Sequence, residues 1–143
     1  MKATRILPLI VISLLLTATA AIAGDFAWVG DFNDRTHGDP SDFRERLEAR
    51  FRIGPVQIGA VIDNADTPAD AYVMLRLCEM SRRPVEEVID GYRQEKGKGW
   101  GVLARQLGIK PGSPAFNALK QGQDLYDGHG GSGKSKGKGK GRK

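Results

Sequence analysis

The chain has 143 residues, a single cysteine and a formal net charge of +5 at pH 7. One cysteine excludes an internal disulfide, and the length allows one small domain after the N-terminal segment described next. A domain of this size without disulfides must be stabilised by its apolar core or by a partner.

The first 23 residues have the order of a cleavable export signal. Lys2 and Arg5 provide positive charge, residues 6–16 are mostly apolar, and residues 21–23 read Ala-Ile-Ala, as at a cleavage site. The apolar run is too short to cross a hydrocarbon core of about 30 Å. We therefore predict a signal peptide over 1–23 and a periplasmic or secreted protein with no transmembrane span after cleavage. An uncleaved N-terminal anchor is the alternative.

Positive and negative charges are separated along the chain. Residues 24–133 contain all 17 acidic residues and 14 of the 22 basic residues, which gives this part a net charge of −3. The last ten residues carry six positive side chains, namely Lys134, Lys136, Lys138, Lys140, Arg142 and Lys143. The basic isoelectric point is therefore a property of the tail and not of the domain.

The C-terminal segment 123–143 has the composition of a disordered tail. From Gly128 onward it has no apolar residue to bury, and glycine alternates with lysine. We expect the six basic side chains to bind an anionic envelope surface or another polyanion. Selectivity should be low, because no aromatic residue lies between the lysines to stack on bases. A solubilising tail without a partner is the alternative.

Prolines mark the predicted helix starts that follow residue 38. Residues 24–38 are rich in Gly, Asp and aromatic residues without a helical or strand period, so we expect an irregular arm there. Five of the six prolines beyond the arm are suited to a first helical turn, and three of these follow a good N-capping residue. The pairs are Asp39-Pro40, Gly54-Pro55, Thr67-Pro68, Arg83-Pro84 and Ser113-Pro114.

Apolar residues within 39–122 repeat at helical spacing. The two cleanest stripes are Val85, Val88, Ile89, Tyr92 and Trp100, Leu103, Ala104, Leu107. Residues 69–80 are apolar nearly all round and should form the central buried helix. The sequence thus predicts a compact all-α domain of five to six short helices over 39–122, with Trp100 in its core.

Residues 100–119 resemble a helix-turn-helix, although the connection is about two residues longer than usual. Its second helix would offer only Asn117 and Lys120 as base-reading side chains. The alternative is an ordinary corner between two packed helices. We expect no sequence-specific nucleic-acid binding, because an exported protein has no genome to read.

The segment 100–113 reads W-G-x-x-A-x-x-L-G-I-x-P-G-S. In this respect the chain resembles small exported bacterial proteins of uncharacterised function. The resemblance covers roughly residues 67–122 and implies a helical domain there. It implies no activity and no functional residues.

The sequence contains no recognisable catalytic, cofactor or metal site. Cys78 lies in an apolar helix where a thiol is inert, and residues 97–101 lack the spacing of a phosphate-binding loop. The arm is crowded with possible oxygen and nitrogen ligands but lacks the EF-hand pattern. These residues are Asp31, Asn33, Asp34, His37 and Asp39. A solvated acidic arm is the simpler interpretation.

The function predicted from these features is an exported, non-enzymatic binding or structural module without a cofactor. Its helical body would face a protein partner, while its tail binds the anionic surface. Two alternatives remain open. One is an exported enzyme whose residues converge only in three dimensions, and the other is a helix-turn-helix-like nucleic-acid binder, which requires the signal peptide prediction to be wrong.

Overall fold

The computed structural model describes residues 25–127, and within them every regular element is helical. The predicted signal peptide and residues 128–143 lie outside the described residues. The seven helices are α1 (Val29–Gly38), α2 (Pro40–Phe51), α3 (Pro55–Asn64), α4 (Pro68–Ser81), α5 (Val85–Gln94), α6 (Trp100–Gln106) and α7 (Pro114–Gln121). The prediction of an all-α fold is confirmed. No helix within residues 25–127 is both long and apolar enough to cross a membrane.

The prolines do mark helix starts. The Asp39 carboxylate accepts from the backbone N–H groups of Ser41 and Asp42, and Thr67 and Ser113 accept from the third residue beyond them. Such caps satisfy N–H groups that have no partner within the helix. In α5, proline itself is the residue before the first helical position.

Helix α4 is the centre of the domain. It packs against α1, α2, α3, α5 and α7. Its residues Tyr72, Met74, Leu75 and Leu77 are at most 1% exposed. Because neighbours surround it, α4 is apolar on several faces, as the sequence predicted.

The N-terminal arm differs from the expectation, because most of it is helix α1. Phe32 in this helix is 1% exposed. Its ring contacts Trp28, Phe43 and Tyr72. Burial of this ring therefore makes the arm part of the core, so the domain begins well before residue 39.

The first residues of the predicted tail also belong to the domain. Leu125 is 3% exposed, and the Tyr126 ring packs against Phe32 with centroids 5.4 Å apart. The Asp124 carboxylate accepts hydrogen bonds from the Tyr72 hydroxyl at 2.6 Å and from Arg50 Nε at 2.9 Å. The segment 123–127, placed in the tail by its sequence, is thus held against α4 and α1.

We expect Asp124→Asn to change how stability depends on pH. Burial alone would raise the pKa of Asp124, but hydrogen bonds and charge from Arg50, Tyr72 and Arg76 outweigh it and lower this pKa. The stabilisation is therefore full above the unfolded-state pKa of about 3.9 and is lost as the pH falls further. Urea unfolding at neutral pH and near pH 3 should show the two chains converging in the acid. A constant difference would contradict this assignment.

The connection between α6 and α7 begins with a glycine cap. Gly108 has φ +81°, its N–H donates to the Arg105 carbonyl, and the Ile109 N–H donates to the Ala104 carbonyl. This pairing is a Schellman motif, which ends α6 and turns the chain. Helix α6 packs on α5, whereas α7 packs on α4.

Candidate functional site

The six basic side chains expected to bind a polyanion lie outside the described residues. Within the domain, most basic side chains already have a carboxylate partner within 4 Å. These paired residues are Arg35, Arg46, Arg50, Arg76, Arg83, Arg93, Lys96, Lys98 and Lys120. The other five of its 14 basic side chains have no carboxylate within 4 Å among residues 25–127, so the acids of the domain compensate most but not all of its positive charge.

Both candidate base-reading side chains of the helix-turn-helix-like segment make contacts within the domain. Lys120 Nζ lies 3.2 Å from an oxygen of Asp25. Asn117 Nδ2 donates to the Gly112 carbonyl at 3.2 Å. Base recognition would require these contacts to be exchanged for contacts to a duplex.

Two of the possible metal ligands in the arm have structural roles instead. Asn33 Oδ1 accepts from the Ala69 N–H at 2.8 Å, which ties α1 to the start of α4, and Asp39 caps α2. Between residues 25 and 127 no three His, Cys, Asp or Glu side chains are grouped so that they could hold a metal ion.

Cys78 is half-buried on α4 rather than fully buried. Burial raises the pKa of its thiol to about 12, so the reactive thiolate is scarce at neutral pH. The structure thus leaves part of this thiol exposed, and its lack of reactivity stays a prediction.

A cavity of about 310 Å³ lies where the turn before α4 meets the loop between α5 and α6. We call it the aromatic cavity. Its lining residues are Asp66, Asp70, Tyr92, Glu95, Lys96, Gly97, Gly99, Trp100 and Leu103. The rings of Tyr92 and Trp100 are stacked, with centroids 5.5 Å apart and planes 20° apart. Trp100 is only half-buried, which corrects its prediction as a core residue.

Hydrogen bonds join the polar side chains of this cavity. The Tyr92 hydroxyl donates to Asp70 Oδ2 at 3.2 Å and accepts from the Asp66 N–H at 3.3 Å. Burial raises the pKa of Tyr92, so its hydroxyl stays a donor. The hydrogen bond from Lys96, 2.7 Å long, lowers the pKa of Asp66. The cavity thus combines fixed carboxylates with an aromatic wall.

A larger groove of about 590 Å³ runs between the end of α1, one side of α2 and the start of α4. Its apolar lining includes Phe43, Ile62 and Pro68, and its charged lining includes Arg44 and Glu48. Mixed charges here do not select one ligand chemistry. We therefore regard the groove as a surface feature and the aromatic cavity as the better-defined site.

The sequence identifies the two aromatic residues that line this cavity, but it predicts both of them to lie in the core. The apolar stripes predict Tyr92 and Trp100 in the core, and residues 97–101 lack the spacing of a phosphate-binding loop. The two acidic residues at the start of α4, Asp66 and Asp70, are the feature of the sequence that points to a site here. They indicate a cavity only when the packing of α5 and α6 beside them is known.

Comparisons with known protein families, with curated proteins and with solved structures give no match to this chain.

Proposed function

We propose that this protein is an exported, non-enzymatic binding module. Its basic tail attaches it to an anionic polymer or surface, and its helical body is left free for a further partner. The observation that carries the proposal is the separation of charge, with 24–133 at net −3 and six positive side chains in the last ten residues.

Pairing of charge within the domain supports the assignment of polyanion binding to the tail rather than to the body. Arg50 is shared between Glu79 and Asp124, and Arg76 contacts the same two carboxylates. Guanidinium groups engaged in this way would have to give up partners before they could bind phosphate or sulfate. The lysines of the tail alternate with Gly or Ser and have no neighbouring acid, so each ammonium can reach its own anion.

The size of the effect follows from the number of charges. Near an anionic membrane each lysine or arginine contributes about 1 kcal/mol, and this attraction falls within a Debye length. Six such residues are sufficient for reversible attachment at low salt. We expect the apparent affinity to decrease steeply as salt is added.

The test is deletion of residues 128–143, measured by binding to heparin and to phosphatidylglycerol-containing vesicles at low salt. We expect at least a tenfold loss of affinity, in line with the loss of several charge contacts. A chain of unchanged length in which the six basic residues are replaced by serine is the matched control, and it should lose binding equally. Retained binding by either variant would place the anion site on the body and end the proposal.

Location is tested separately by sequencing the N-terminus of the protein isolated from the cell envelope. We expect Gly24 as the first residue. A chain that retains Met1 in the cytoplasm would instead favour the nucleic-acid-binding alternative.

A further inference from the structure

We propose that the aromatic cavity binds a small organic ammonium ion, with the Asp70 carboxylate as counter-ion and the Trp100 ring as the apolar contact. This site lies on the body, and the proposal does not require the attachment proposed for the tail. The ammonium group belongs either to a free amine or to a lysine side chain, and the experiment below distinguishes the two.

The size of the cavity limits the ligand. About 310 Å³ is at the lower end of the range of about 300–1,000 Å³ for small-molecule sites. An alkyl chain of a few carbons with its ammonium group fits this space. The lining is both apolar and polar, with Leu103 and Trp100 beside the carboxylates of Asp66 and Asp70.

The charges of the lining favour a cation. The lining contains three carboxylates, from Asp66, Asp70 and Glu95, and one lysine, Lys96. Two of them already hold ammonium groups, because Lys96 lies 2.7 Å from Asp66 and Lys98 lies 3.0 Å from Glu95. An anionic ligand would be repelled here, and a neutral ligand would gain nothing from the excess of negative charge.

Asp70 is the carboxylate that remains for a ligand. The Tyr92 hydroxyl fixes its Oδ2 atom. No basic side chain within residues 25–127 approaches Asp70 to 4 Å, in contrast to Asp66 and Glu95. The side chain is held in position by Tyr92 and by its place in the first turn of α4, and it has no ion-pair partner among these residues, so it is available as a counter-ion.

The aromatic wall is positioned for the same ligand. Tyr92 covers one face of Trp100, and Trp100 keeps part of its surface exposed towards the cavity. A cation within about 6 Å of an indole ring gains about 0.5–2 kcal/mol, more when water is excluded. Gly97 and Gly99, with φ +82° and +90°, allow the adjoining loop to turn without side chains that would crowd the entrance.

The experiment uses n-butylammonium chloride as the probe and n-butanol as its uncharged counterpart. The full chain has two tryptophans, so Trp28→Phe leaves Trp100 as the only indole reporter. We expect a saturable change of fluorescence with the amine and none with the alcohol at equal concentration. Calorimetric titration of the unaltered chain gives the same comparison where Trp28→Phe disturbs the core.

Asp70→Asn should weaken amine binding at least tenfold. Asp34→Asn is the matched control, because it removes the same charge from an exposed site on α1 that lines no part of the cavity. We expect its affinity to stay within twofold of the unaltered chain. Thermal unfolding of both variants verifies that they are folded, since Asp70 also receives the Tyr92 hydrogen bond.

Deletion of residues 128–143 identifies the source of the ammonium group. Tighter amine binding after deletion would show that tail lysines compete for the cavity, whereas equal binding supports a separate amine ligand.

The proposal is overturned if butanol binds as well as butylammonium, if Asp70→Asn binds equally well, or if only a neutral sugar such as methyl glucoside binds.

Discussion

Phe32→Ala is expected to lower the free energy of unfolding by about 3–5 kcal/mol, the usual cost of truncating a buried large aromatic side chain. Phe32 is 1% exposed. Its ring centroid lies 5.3 Å from those of Trp28 and Tyr72 and 6.0 Å from that of Phe43. Such rigid neighbours cannot collapse fully into the space left by alanine, so the cavity term remains large. Urea unfolding at neutral pH measures the change.

Phe51→Ala is the matched control for this truncation. It removes the same atoms from a ring that is only half-buried at the end of α2, so its cost should be clearly smaller. A loss below about 1 kcal/mol for Phe32→Ala would be typical of a surface residue. That result would mean that the N-terminal arm does not pack on α4 and that the domain begins near residue 39, as the sequence alone indicated.

Local chemistry explains which parts of the fold could be predicted. A capping side chain followed by proline fixes a helix start within a few residues, whatever the rest of the chain does. Asp39, Thr67 and Ser113 are therefore placed correctly. Continuous apolar character over 69–80 likewise requires a surrounded helix, which makes α4 predictable.

Helix α1 is not predictable from its own residues, because its stability comes from packing against the rest of the domain. Gly30, Asp31, Asn33 and Asp34 are weak helix formers, and a single buried ring does not make a visible stripe. Burial of Phe32 against two tyrosine rings from distant parts of the chain outweighs these local preferences. The same limitation applies to the aromatic cavity, since Asp70 and Trp100 are brought together only by packing of separate helices.

Two truncations six residues apart test whether the segment 122–127, which follows α7, stabilises the domain by packing on it. A chain ending at Gln121 should lose at least about 3 kcal/mol of stability, because it lacks Leu125, a fully buried side chain of the kind whose truncation alone costs about 2–5 kcal/mol. It also leaves the Tyr72 hydroxyl without its partner Asp124, and an unsatisfied buried group costs about 1–3 kcal/mol.

A chain ending at Asp127 should be as stable as the full chain within about 0.5 kcal/mol. It keeps Leu125, the hydrogen bonds of Asp124 and the exposed ion pair of Arg35 with Asp127. It removes only residues 128–143, which contain no apolar side chain. Thermal and urea unfolding of the two truncated chains, measured together, give the comparison. Equal stability would mean that 122–127 does not pack on α4, whereas a loss confined to the shorter chain places the end of the folded domain between Gln121 and Asp127.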